Sequence, residues 1–79
     1  MRRLELMVAA GCTLCPAAVE AARDAVRGRA DVDLQVIDID GDLELELRHR
    51  ASIPIVFLDG VEVARYAFTA GELAARLEA

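Results

Sequence analysis

The chain has 79 residues, 56% of them hydrophobic and 29% charged, with a formal net charge of −5 at pH 7. Residues 1–79 amount to one small domain, too apolar for disorder and too short for a second core. The acidic balance and an aromatic content of 4% speak against nucleic acid, which rewards phosphate neutralisation and base stacking, and against an anionic membrane surface.

The opening Met1-Arg2-Arg3, an apolar stretch to Ala10 and then Gly11-Cys12 superficially suggest a lipoprotein signal. The stretch is too short for a signal core and Glu5 interrupts it. Leu4 to Val8 reads instead as a buried strand, and Ala9 to Thr13 as a loop of small residues. Leu14 to Arg27 reads as a helix. Leu14, Ala18, Ala22, Ala25 and Val26 share its apolar face, with Glu20, Arg23, Asp24 and Arg27 opposite. Pro16 is tolerated in the first turn, and Gly28 is a stop.

Val32 to Ile39 is β-branched and apolar, the second strand. Leu43 to Leu47 alternates like a strand, yet its residues are strong helix formers. Asp42 is a cap, and Glu44–Arg48 and Glu46–Arg50 are well-oriented i,i+4 pairs, so a second helix is expected. Ile55 to Leu58 and Val61 to Arg65 flank Asp59-Gly60, a two-residue hairpin. Thr69 with Glu72 forms a capping box for the last helix, and Phe68 with Leu73 a hydrophobic staple. Leu73, Ala74 and Leu77 are its buried side. The order β-α-β-α-β-β-α, with a right-handed crossover after the first strand, predicts an α/β fold with a four-stranded mixed sheet flanked by helices.

All nine basic residues are arginine, which excludes lysine Schiff-base chemistry and a phosphate-binding P-loop. The chemistry points to Cys12-Thr13-Leu14-Cys15, the only two cysteines, between the first strand and the first helix. A thiol at a helix N-terminus faces unpaired N–H groups and the positive end of the dipole, which stabilise a thiolate. Two intervening residues let the second cysteine reach back to the first. Cys12 is the expected nucleophile and Cys15 the resolving cysteine. Two other readings stand beside this one. Half a zinc site would recruit His49, the single histidine, but zinc sites usually carry more Cys and His. A purely structural disulfide would close so small a loop that it stabilises little. At Ser52-Ile53-Pro54-Ile55 a proline leads into a strand, where an ordinary trans bond is the commoner state.

Among the remaining residues, Asp38, Asp40 and Asp42 lack the other ligands of a calcium loop and read as a strand end and a helix cap. Tyr66, Phe57 and Phe68 are expected in the core, and His49 on a solvated helix face. Arg48, Arg50 and Arg65 read as solvated charges, each able in principle to hold a carboxylate.

The C-x-x-C after the first strand, Ile53-Pro54 at the start of the third, the Asp59-Gly60 hairpin and the Asp38 to Asp42 stretch resemble a small bacterial glutaredoxin-like protein of the thioredoxin fold. That resemblance implies a cis Ile53–Pro54 peptide facing the cysteines. It also implies backbone pairing of Ile53 with an extended substrate, and a proline that keeps metals off the thiols. Thr13, Leu14, Ile53 and Pro54 are then the expected substrate-binding residues. Members that use glutathione usually carry a cation before the motif, a tyrosine inside it and a Gly-Gly-Cys/Ser-Asp-like segment before the last helix. Ala10-Gly11, Thr13-Leu14 and Ala67-Phe68-Thr69-Ala70 stand there instead.

The expectation is a cytoplasmic, monomeric thiol–disulfide oxidoreductase serving electron transport and redox homeostasis. It reduces a protein or low-molecular-weight disulfide and is recharged by a reductase or glutathione. No metal or cofactor is expected, and glutathione is a candidate co-substrate. The alternatives are a non-catalytic partner-binding module of the same fold and, after it, a metal or cluster carrier.

Overall fold

A computed structural model describes residues 1–78. Its elements are β1 (Arg2–Val8), α1 (Cys15–Val26), β2 (Val32–Asp38), α2 (Leu43–His49), a 3-10 turn over Arg50–Ser52, β3 (Ile55–Leu58), β4 (Val61–Arg65) and α3 (Ala70–Glu78). The strands form one mixed sheet in the order β2-β1-β3-β4. β1 runs parallel to β2 and antiparallel to β3, and β3 pairs antiparallel with β4.

Strand alternation divides the core between the two faces of this sheet. Leu4 and Leu6 of β1 and Val56 and Leu58 of β3 point to one side, packing with Ala18, Ala22 and Ala25 of α1 and Leu73 and Leu77 of α3. Met7 and Ile55 point to the other side. There they join Ala9 and Ile39, with Leu45, Ile53 and Phe57 packed around them. The small α1 alanines let that helix approach the strands closely, while α2 covers the second face through Leu45.

Local chemistry accounts for the element ends. The α2 cap is Asp42, whose Oδ1 accepts the Leu45 N–H at 3.1 Å. Glu44–Arg48 (2.9 Å) and Glu46–Arg50 (2.5 Å) are both formed. The alternating leucines spread around the helix, so only Leu45 meets the sheet, and Leu43 and Leu47 stay 71% and 80% exposed. The hairpin turns on Asp59 (φ 50°) and Gly60 (φ 85°), both in the left-handed region that a two-residue turn of this type requires. Asp59 also ties the turn to β1, its Oδ1 accepting the Arg3 N–H at 2.9 Å and its Oδ2 the Arg2 Nε–H at 3.0 Å. The capping box of α3 is reciprocal: Thr69 N–H donates to Glu72 Oε1 at 3.0 Å, and Glu72 N–H to Thr69 Oγ1 at 3.1 Å.

Several sequence expectations are corrected. Helix α1 begins at Cys15 rather than Leu14, and Leu14 is 46% exposed instead of buried. A tight turn, in which Cys15 N–H donates to Cys12 O at 3.3 Å, holds Leu14 outside the helix. Ala74 is only half-buried. His49 is half-buried rather than fully solvated, meeting Phe57 edge-on at 5.5 Å between ring centroids. Phe57 and Phe68 are half-buried against the two clusters. Tyr66 is not in the core. It is 43% exposed, because the chain reverses at this residue with φ 68° and turns the ring out of the sheet. The 3-10 turn over Arg50–Ser52 is an addition to the expected elements, since three residues carry no hydrophobic repeat.

Candidate redox site

The end of β1 delivers the chain into the loop Ala9–Leu14, and the first residue of α1 is Cys15. Cys12 and Cys15 are joined in a disulfide, with their Cα atoms 5.4 Å apart. The two sulfurs are unequally placed. Cys15, in the first turn of the helix, is 5% exposed, whereas Cys12 is half-buried at the rim. Pro16 occupies the first turn of α1, where its missing N–H costs no helix hydrogen bond.

An open cleft of about 320 Å³ lies against this loop, lined by Ala10, Gly11, Cys12, Thr13, Leu14, Arg50 and Ile53. Of the expected site residues, the structure brings Cys12, Thr13, Leu14 and Ile53 to the lining of this one cleft. Cys15 and Pro54 are buried behind it. The Ile53–Pro54 peptide is cis, the state the family resemblance implies. Thr13 and Leu14 are both exposed.

A family model described as glutaredoxin-like domain (DUF836) matches residues 3–78. The chain belongs to this glutaredoxin-like family. Among solved structures, a structural-genomics protein of X. campestris, XcR50, is 32% identical with a TM-score of 0.75, over 95% of each chain. Protein Ne2328 of Nitrosomonas europaea is 25% identical with a TM-score of 0.72, over 95% of this chain and 89% of its own. Thioredoxin 1 of Thermosipho africanus, 21% identical over 96% and 90% with a TM-score of 0.66, shares the thioredoxin fold. No curated protein matches the sequence.

In this glutaredoxin-like domain one residue that sequence reading does not assign to the site, Arg50, lines the cleft, and a second, Asp40, braces it from outside the lining. Asp40, read as part of a strand end, accepts the Ala10 N–H at 2.8 Å with Oδ2 and Arg50 Nη2–H at 2.6 Å with Oδ1. It thereby links the cysteine loop to the opposite wall. The Ala10 N–H, and then Arg50, hold its carboxyl below the usual value. Arg50, read as one of several solvated charges, lines the cleft and donates from Nη2 to both Asp40 and Glu46. Those carboxylates, Glu46 first, raise its pKa above the ordinary guanidinium value. The position of Arg50 just upstream of Ile53-Pro54 was a usable signal for its place in the cleft. Nothing local in the sequence pairs Asp40 with Ala10, thirty residues away.

Among the described residues, no three His, Cys, Asp or Glu side chains gather into a metal-ligand set. His49, the third ligand of the zinc alternative, is packed on Phe57. No described helix is long and apolar enough to cross a membrane.

Proposed function

We propose that this glutaredoxin-like domain is a thiol–disulfide oxidoreductase that cycles through Cys12 and Cys15. One observation carries the reading: the two cysteines form a disulfide at the rim of a cleft, with Cys12 half-buried and Cys15 beneath it. In the reduced protein the Cys12 thiolate attacks a substrate disulfide, forming a mixed disulfide and releasing one substrate thiolate, which takes up a proton. Cys15, having lost its own proton, then attacks Cys12 Sγ and displaces the second substrate thiol. Substrate gains two electrons and two protons, and Cys12–Cys15 is oxidised. A thiol reductant, either a reductase or glutathione, reverses the exchange. Thr13, Leu14 and Ile53 supply the contact surface for the substrate chain, with Pro54 shaping it from behind.

A protein disulfide fits this site better than free glutathione as the main partner. The net charge of −5 repels anions at long range, screened at cellular salt. The one arginine lining the cleft is shared between two carboxylates, Asp40 and Glu46, so it does not make the mouth cationic. We place the protein in the cytoplasm as a monomeric electron carrier, with no resident cofactor.

The test is a redox titration against glutathione buffers, quenched by alkylation and read by intact mass. A reversible loss of two protons, with a midpoint between roughly −180 and −270 mV, is expected. Cys12→Ser should abolish turnover, and Cys15→Ser should accumulate mixed disulfides with the substrate. Thiols that stay free at every potential, or full activity in Cys12→Ser, would leave the non-catalytic binding module as the better reading.

A further inference from the structure

Tyr66 lies outside the cysteine motif and outside the core, yet both ends of it grip the segment that carries Ile53. Its N–H donates to Pro54 O at 2.7 Å. Its hydroxyl donates to Ala51 O at 3.1 Å. The two accepting carbonyls bracket Ser52 and Ile53, and Ile53 lines the cleft with Cys12. The backbone at Tyr66 has φ 68°, a region unfavourable for an aromatic L-residue and tolerated only where surrounding contacts impose it. The Ala67 N–H donates to Arg65 O at 2.9 Å, closing a tight three-residue turn around it.

The ring is braced as well. The Arg65 guanidinium lies 5.8 Å from its centroid and is fixed by two bonds to Glu62, at 2.6 and 2.7 Å. The same guanidinium reaches Ser52 Oγ at 3.4 Å. With the ring 43% exposed, burial does not explain why an aromatic residue occupies a left-handed position. The hydrogen bonds to residues 51 and 54 do.

We propose that Tyr66 is a positioning residue for the substrate-docking segment 51–54, acting through Ile53. This rests on the oxidoreductase reading above and adds to it what holds the docking wall in place. Tyr66 sets how well a disulfide substrate is held and leaves the cysteine couple itself unchanged.

The experiment compares wild type, Tyr66→Phe and Tyr66→Gly in dithiothreitol-driven reduction of insulin, with the Cys12–Cys15 midpoint and the urea midpoint measured on the same samples. Tyr66→Phe keeps the ring and removes the hydroxyl with its bond to Ala51, and should raise KM about threefold to tenfold, the worth of one neutral hydrogen bond. Its kcat and redox midpoint should match wild type. Tyr66→Gly relaxes the left-handed strain, so it should keep the urea midpoint while raising KM further. Unchanged KM in both variants overturns the proposal. So does a KM that rises only in step with lost stability, or a shifted redox midpoint. A wild type that titrates reversibly but leaves insulin intact overturns the docking role, whereas one that does neither overturns the oxidoreductase reading.

Discussion

Replacing Leu73 with alanine tests whether the packing of α3 onto the sheet carries the fold. Leu73 is 1% exposed and sits among Leu4, Leu6, Val56, Leu58 and Leu77, with Ala18, Ala22 and Ala25 of α1 in the same cluster. The cost of truncation is the lost transfer energy plus whatever void persists. Filling that void falls to Leu4, Leu6, Val56, Leu58 and Leu77, and most of it persists because the four strand residues sit on β1 and β3, pinned by strands on both sides, while the alanine neighbours have no side-chain rotamers that swing into it. The loss should therefore fall in the upper part of the usual range, about 3–5 kcal/mol. A chain of 79 residues has a total stability of about 4–12 kcal/mol, so this one change removes a large share of it. Leu77, 7% exposed near the helix end, should cost about 2–3 kcal/mol when truncated. Leu73→Met, which keeps the volume, should cost less than about 1.5 kcal/mol. The assay is equilibrium urea unfolding of the oxidised protein, so that the Cys12–Cys15 link constrains every variant equally. With a slope of about 1 kcal/mol per molar urea, the Leu73→Ala midpoint should fall by about 3–5 M. A loss under about 1.5 kcal/mol, or a greater loss for Leu77→Ala, would refute the argument.

Thr69→Ala removes the acceptor for the Glu72 N–H and should cost about 1 kcal/mol, lowering Tm by about 4–8 °C. Glu72→Gln keeps an acceptor for the Thr69 N–H and should shift Tm less, so equal shifts in differential scanning calorimetry would contradict the reciprocal cap. Acid should weaken the fold in a defined window. Asp40 is held below its ordinary pKa by the Ala10 N–H and Arg50, Asp59 by the Arg3 N–H and Arg2, and Glu62 by Arg65. A lowered folded value means that the stabilisation is complete above the unfolded carboxylate range, near about pH 4, and is lost as pH falls through the folded values. The urea midpoint should decline below about pH 4, and Asp59→Asn should remove part of that decline. A midpoint flat down to about pH 2 would contradict these pairings.

Much of the architecture is legible because its signals are local. Asp59-Gly60 specifies its turn, Thr69 with Glu72 starts α3, and Asp42 with two i,i+4 pairs decides α2 against an alternating pattern. The cysteine spacing likewise announces the loop that forms one wall of the cleft. What is not legible depends on contacts between distant segments. Asp40 reads as a strand-end acid until β2 brings it beside Ala10. Arg50 is one of nine arginines until the turn after α2 brings it to the cleft that Cys12 lines. Tyr66 has the composition of a core residue. Only the reversal after β4, fixed by a bond to Pro54, turns it outward. Leu14 belongs to an apolar helical face by spacing, but the Cys12–Cys15 turn keeps it out of the helix.

The two walls of the cleft are fastened by different forces. The cysteine wall is anchored by side chains in the interior, Cys15 and Ala18 among them. Across from it, Ile53 packs on the second core cluster, α2 has seven residues and fully buries none of them, and Arg50 stays in place through exposed bonds to Asp40 and Glu46. Burial is indifferent to ionic strength, whereas exposed ion pairs weaken as salt screens them. Added salt thus loosens the hold on Arg50 and leaves the packing of Cys15 and Ile53 as it is. The amides of α2 report on local opening at that edge, while those of β1 and β3 exchange only when the whole domain unfolds.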